Sequence, residues 1–231
     1  MYNTFSPIVT NGLVLYFDSS NVKSYNGGSE INDLSPSVNV GVLTNGASFN
    51  LSNAITFDGM DDFIEYGDVL DLGVNSMTFN CWVKLNSNSG IQVLCSKSFQ
   101  NTGNYRFNIA VNNQRIYSFM NATFDVEAFA DTILPINEWI QITSIFDRLN
   151  GIKIYLNGMI DITTIPDISM WDSLDFQSNN PFRIGSYTDS DNITPIFNVN
   201  GDIALVQVYH RALSESEVLQ NYNAQKNRFQ S

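Results

Sequence analysis

The feature that most constrains this chain is a period of two. Eleven runs alternate apolar and polar residues as half-buried strands do: residues 12–18 (GLVLYFD), 63–67, 77–85 (MTFNCWVKL), 91–98 (IQVLCSKS), 104–111 (NYRFNIAV), 114–121, 138–147, 151–157, 159–165, 182–186 and 201–210 (GDIALVQVYH). A sequence so divided has no room for a helical layer and predicts an all-β fold. Asn157-Gly158 between two of these runs is the signal of a type I′ hairpin, and Asn112-Asn113 fits the same purpose. No linker, charge block or fixed-period repeat divides the 231 residues, so 1–231 reads as one domain.

One helix is expected, after the last strand. In RALSESEVLQNYNAQ, Ser214 is an N-cap, Glu217 completes a capping box and Leu213 can staple to Val218. Val218, Leu219 and Tyr222 form the expected docking stripe, because a helix this short is stable only against a sheet.

Charge narrows the partners. Eleven basic against 23 acidic residues give a net charge of −12, without the clustered cations that nucleic acid or an anionic membrane requires. The N-terminal MYNTFSPIVT has no basic segment followed by an apolar one, which reads as no signal peptide, and no apolar run is long enough to span a bilayer. The two cysteines exclude a disulfide framework. A hairpin register would set Cys81 opposite Cys95, where two packed thiols are favoured over a strained disulfide. In MTFNCWVKL, Phe79, Cys81, Val83 and Leu85 share one face and Thr78, Asn80, Trp82 and Lys84 the other. The second face, bearing a tryptophan, is expected to be covered or to line a groove.

GLVLYFD, ITFDGMDDFIEYG, MTFNCWVKL, EWIQITSIFD with GIKIYLNGMID, FRIGS and the closing NGDIALVQVYHRALSESEVLQNY occur in an order that resembles the concanavalin A-like lectin/glucanase superfamily, and within it the laminin G-like jelly rolls. The resemblance covers nearly the whole chain. It departs at Glu138-Trp139-Ile140-Gln141, where the family often carries Trp-His-His. The fold it implies is an all-β, two-sheet antiparallel jelly-roll sandwich with one short C-terminal helix.

Glucan-cleaving members of that superfamily resemble one another in carrying acids at alternate positions of one strand, and none of the strands expected here does so. Nor does any serine, cysteine or the lone His210 sit in a nucleophile motif, so the chain reads as a non-enzyme. Asp58-Gly59-Met60-Asp61-Asp62 concentrates three carboxylates in a turn, a composition suited to calcium or, equally, to Asp residues capping their own turns. By resemblance to jelly rolls with a structural calcium, Asp202 at the start of the last strand would join Asp58 and Asp62 as metal ligands. For a sugar the expected platforms are Trp171 and Tyr187 on loops, while Tyr105 and Tyr117 of a hairpin either face one groove together or, equally, pack across the strands. Three formal glycosylation acceptors, at Asn50, Asn121 and Asn192, read as chance in an Asn-rich chain.

The layout resembles stand-alone jelly rolls of bacteriophage virions. The expectation is a non-enzymatic structural or adhesion protein, a head-decoration, fibre or tail component that contacts glycans or other assembly proteins. It would be made in the host cytoplasm and carried on the virion, and a homo-oligomer is compatible with it. The alternatives are a free carbohydrate-binding module or secreted extracellular lectin and, behind these, a glycan-active hydrolase.

Overall fold

The structure is a computed structural model and describes residues 7–97, 105–189, 191 and 193–229. The chain opens with β1 (Leu13–Asp18), β2 (Glu30–Asn32), β3 (Val40–Thr44), β4 (Ser48–Phe49), β5 (Ile55–Asp58) and β6 (Phe63–Glu65). The middle holds β7 (Met77–Leu85), β8 (Ile91–Lys97), β9 (Arg106–Asn112), β10 (Arg115–Asn121), β11 (Asp125–Phe129), β12 (Trp139–Asp147), β13 (Gly151–Leu156) and β14 (Met159–Ile160). It closes with β15 (Phe182–Ile184), β16 (Tyr187–Thr188), β17 (Pro195–Ile196), β18 (Asn200–Tyr209) and the helix α1 (Glu215–Gln225).

These strands make two antiparallel sheets packed as a sandwich, as the sequence predicts. One runs β14-β13-β12-β7-β18-β5-β4, and the other β11-β10-β9-β8-β15-β6-β3-β2. A bulge between Ile203 and Leu205 lets one edge of β18 serve two partners, β5 before it and β1 after it. The bulged carbonyl of Ala204 accepts from the Ser19 backbone N–H and hydroxyl, at 3.0 and 2.8 Å. Between the sheets lies one apolar cluster that joins Phe79, Cys81 and Val83 of β7 to Cys95, Ile109 and Met120 of the facing sheet. Each large side chain buried there contributes about 1.5–3 kcal/mol.

The Asn157-Gly158 turn forms as expected, with both residues at positive φ (50° and 80°) between paired Leu156 and Met159. The neighbouring turn lies one residue later than expected, at Asn113 and Gln114 (φ 49° and 69°). The run expected over 159–165 stops at Ile160, while the short strands β2–β5, β11, β16 and β17 carry too little alternation to be read in advance. Ser98 and Asn104, at the ends of two expected strands, and the acceptor Asn192 lie outside the described residues.

The Cys81–Cys95 hairpin is not formed. Asn137 N–H bonds the Leu85 carbonyl and Asn86 N–H the Asn200 carbonyl, holding the end of β7 in its own sheet while residues 86–90 cross to the other. Cys81 pairs with Ile142 and Val206, and Cys95 with Ile109 and Ile184. The two remain free, buried thiols in the shared core, and burial pushes both up from their ordinary acidity.

The terminal helix has its capping box, with Ser214 and Glu217 each bonded to the other's backbone N–H, and Leu213 clusters with Val218. Its buried face differs from the expected stripe: Val218, Asn221 and Gln225 are buried, whereas Leu219 is 41% exposed. The reason lies in the sheet beneath, whose outward positions on β7, β12 and β18 are Asn80, Gln141, Thr143 and Gln207, all buried. Gln225 answers them, accepting from Trp82 Nε1 (2.9 Å) and Gln141 Nε2 (3.1 Å) and donating to Gln207 Oε1 (3.0 Å). Trp82 stacks on Tyr222 and Phe229 at 5.9 and 4.3 Å. The second face of β7 is therefore covered rather than open. Among the described residues no helix is long and apolar enough to cross a membrane.

Candidate functional site

With the first sheet sealed by α1, the outer face of the second carries the groove. Alternation on β9 turns Phe107, Ile109 and Val111 into the core, and Arg106, Asn108 and Ala110 outward. Tyr117 and Phe119 of β10, Ile91 and Val93 of β8, and Asp125 and Glu127 of β11 share that outward face. The β16–β17 ribbon leans over it, held by Val93 N–H to the Phe197 carbonyl at 2.7 Å, and adds Tyr187 and Phe197. The resulting open groove measures about 240 Å³.

Two groups of rings border it: the Tyr117 ring centre lies 4.9 Å from that of Phe129 and 6.1 Å from that of Phe119, and the Tyr187 ring centre 6.2 Å from that of Phe197. The Tyr117 hydroxyl donates to Glu127 Oε1 at 2.9 Å. Burial, and then that bond, raise the phenol far above its ordinary value, so it stays a donor. Asp125 Oδ1 accepts from Asn121 at 2.6 Å and from Arg106 Nη2 at 3.4 Å, while the Arg106 guanidinium stands 5.1 Å from the Phe119 ring centre. Two buried polar atoms here, Arg106 Nε and Asn108 Oδ1, have no partner among the described residues.

Of the four aromatics expected to hold a ligand, Tyr117 and Tyr187 meet in this groove and the other two lie elsewhere. A two-residue turn pairs odd positions of β9 with even positions of β10, so Tyr105 falls on the opposite face from Tyr117 and packs on Phe176 at 4.6 Å. Trp171 is only 2% exposed, inside the core beside Phe124 and Phe176. Buried Arg148 closes that segment, donating to the carbonyls of Gly73, Asn75, Trp171 and Leu174. A cation collecting four carbonyls from two loops leaves no sign in local sequence.

The expectation that no strand carries acids at alternate positions also fails. β11 reads DVEAF, with Val126 and Ala128 in the core and Asp125 and Glu127 side by side in the groove. Acids are depleted in strands, so this segment carries no strand signal in the sequence. Both carboxylates are exposed at the sheet edge and hydrogen-bonded, Glu127 to the Tyr117 hydroxyl and Asp125 to the Asn121 amide.

The acidic turn brings Asp58, Asp61 and Asp62 together, with one ligand atom from each within 4.8 Å of the others. Asp202 does not join them. It pairs with Lys84 at 3.0 Å and accepts from Thr56 Oγ1 (2.7 Å) and Asn50 Nδ2 (2.9 Å). Asp62 is buried, and its two oxygens accept from Gly46 N–H (2.6 Å) and Asp58 N–H (2.9 Å). Asp58 Oδ1 accepts from Met60 N–H at 2.7 Å. With Asp202 held by Lys84, Thr56 and Asn50 outside the acidic turn, the residues present do not fit the expected Asp202–Asp58–Asp62 cage.

Comparison with known proteins agrees with the fold. The binding domain of Paraclostridial Mosquitocidal Protein 1 superposes with TM-score 0.69 at 18% identity, over 92% of this chain and 52% of that one. The botulinum neurotoxin DC binding domain, solved with rat synaptotagmin II, gives 0.69 at 12% identity over 94% and 52%; solved with SialylT it gives 0.67 at 13% over 93% and 52%. The chain thus spans about half the length of these structures, and at such identities the likeness is one of fold. No curated protein sequence matches the chain. The family model Laminin_G_3, described as Concanavalin A-like lectin/glucanases superfamily, matches residues 57–219. That match takes in the strands from the end of β5 through β18 and runs into α1, and the chain belongs to this family of lectin-like jelly rolls.

Proposed function

We propose that this protein is a non-catalytic binding module that holds a carbohydrate in the groove over β8–β11. The observation that carries the reading is the groove itself, where aromatic rings adjoin polar side chains on one sheet while a helix covers the opposite one. The reading is supported by fold neighbours that are binding domains, solved with SialylT and with rat synaptotagmin II. A glycan array on the isolated chain tests it: binding should be lost in Tyr117→Ala with the melting temperature little changed. Binding that survives Tyr117→Ala places the ligand elsewhere.

Asp125 and Glu127 favour a second reading, a glycan hydrolase, because alternation on one strand is how paired carboxyls reach a cleft. Product release from β-glucans, alginate, peptidoglycan or capsule, abolished by Glu127→Gln, would establish it. The exposed apolar side chains Val22 and Phe49, around a second open groove with Tyr25, support the wider setting we propose, a jelly roll packed among other proteins of a phage-type virion. Mass spectrometry of purified particles decides that setting.

A further inference from the structure

We infer that the free edge of β11 takes an added strand, an extended basic segment of a partner protein laid antiparallel with cations against Asp125 and Glu127. The inference is independent of the carbohydrate reading, because it uses the edge of the sheet rather than the groove. β11 ends its sheet and pairs with β10 alone. The Ala130 N–H bonds the Ile116 carbonyl, which fixes the phase of the ladder: the backbone groups of Val126 and Ala128 point to β10, and those of Asp125, Glu127 and Phe129 point away. Among the described residues no group bonds that outward row. The other sheet edges differ. β4 and β14 have two residues each and β2 has three. β1 is longer, but its outer side is taken: the Tyr16 N–H bonds Asp33 Oδ1, the Tyr16 carbonyl accepts from Leu34 N–H, and the Asp18 N–H bonds the Ser24 hydroxyl. Among the described residues β11 is thus the long edge left open, and such an edge is a template for pairing with another chain.

Side chains decide which chain it pairs with. Asp125, Glu127 and Phe129 are exposed on the outer face, while Val126 and Ala128 point into the core. A well-overlapped antiparallel pair with a second copy would set Glu127 against itself or against Asp125, and like charges directly opposite destabilise a ladder. Among the described residues Asp125 has one cation, Arg106 at 3.4 Å, and Glu127 has the Tyr117 hydroxyl but no ion pair. On a chain of net charge −12 this edge attracts a cationic strand and repels an acidic one. Residues directly opposite in a ladder share a face, so the partner carries Lys or Arg opposite Asp125 and Glu127. Opposite Phe129, which is 40% exposed, it carries an apolar residue. Along the partner's own chain the pattern is apolar-x-basic-x-basic, with small or apolar residues at x, over the rim of the core beside Val126 and Ala128.

The test is amide hydrogen exchange, read by NMR, on the full chain titrated with the peptide acetyl-Thr-Phe-Val-Lys-Val-Lys-Thr-amide, beside a control in which both Lys are Glu. The basic peptide is expected to slow exchange at the outward amides of Glu127 and Phe129, which exchange fast in the free protein, and to bind less well as salt rises. The acidic control should leave them unchanged. Asp125→Lys combined with Glu127→Lys should weaken the basic peptide by about tenfold or more and bring on binding of the acidic one. The melting temperature should change little, because both side chains are exposed, and a reversed preference is a result that misfolding cannot produce. Glu127→Pro, which removes an outward N–H and keeps the bonds to β10, should abolish the protection at Phe129. Equal binding of the two peptides, binding that leaves the Glu127 and Phe129 amides unprotected, or no binding of the basic peptide at low salt overturns the inference. So does protection of those amides in the free protein that deepens with its concentration, since a second copy would then be the occupant.

Discussion

Replacing Gln225 by alanine removes the polar centre of the helix–sheet interface and tests whether α1 is held by hydrogen bonds rather than by an apolar stripe. In the variant the buried Trp82 indole N–H and Gln141 amide lose their acceptor, while Gln207 keeps the bond from Asn80. Two buried donors left unpaired cost about 1–3 kcal/mol each, so the total is about 2–6 kcal/mol. For a domain of this size each kcal/mol lowers the melting temperature by about 2–4 °C, which puts the expected fall near 10 °C. Leu219→Ala, on the exposed flank of the same helix, should stay within about 0.5 kcal/mol of the parent. Calorimetric melting of both variants at neutral pH is the assay. A Gln225→Ala protein that melts within a degree of the parent, or a Leu219→Ala protein that falls as far, refutes the polar docking.

Further expectations concern acid, metal and thiols. Arg211, bonded at 2.6 and 2.8 Å, and the Ser214 N–H hold the Glu217 carboxyl down from 4.5 to about 2. A lowered carboxyl contributes stability that is complete above pH 4.5 and is lost as pH falls toward 2, so Glu217→Gln should flatten that part of the stability–pH curve. Loss of the Ser214 hydroxyl should cost about 1 kcal/mol by thermal melting. Asp202→Asn should lower the melting temperature equally in calcium and in EDTA, because it breaks the Lys84 pair; a loss seen only in calcium would reinstate an ion there. Ellman's reagent should titrate no thiol in the native protein and both Cys81 and Cys95 in denaturant; rapid native reaction would contradict their burial.

Legibility in the sequence followed the range of the forces involved. β7 was read to the residue because it alternates strictly and is paired on both sides, so its local pattern and its environment agree. The capping box at Ser214 is a four-residue interaction and was equally visible. The helix face was misread because it depends on Asn80, Gln141 and Gln207, polar outward positions that look solvent-facing until a helix lands on them. Trp171 was misplaced because Arg148, more than twenty residues away, draws its carbonyl inward. Tyr117 and Tyr187 are named from residue type alone, and the structure places both beside the groove. Arg106, Asn108, Asp125 and Glu127 were missed, since only the register of β9, β10 and β11 brings them to one face.

The terminal helix also sets how the molecule can be handled. Val9 N–H bonds the helix residue Asn221, and Phe229 packs on Trp82 and Trp139, so both ends of the described chain lie on the helix-covered back of the sandwich. A tether, fusion or sensor-surface anchor at either end therefore points the groove away from its support. Many copies fixed this way would present their grooves outward in parallel, so a weak single-site affinity would be multiplied on any surface that displays its ligand densely.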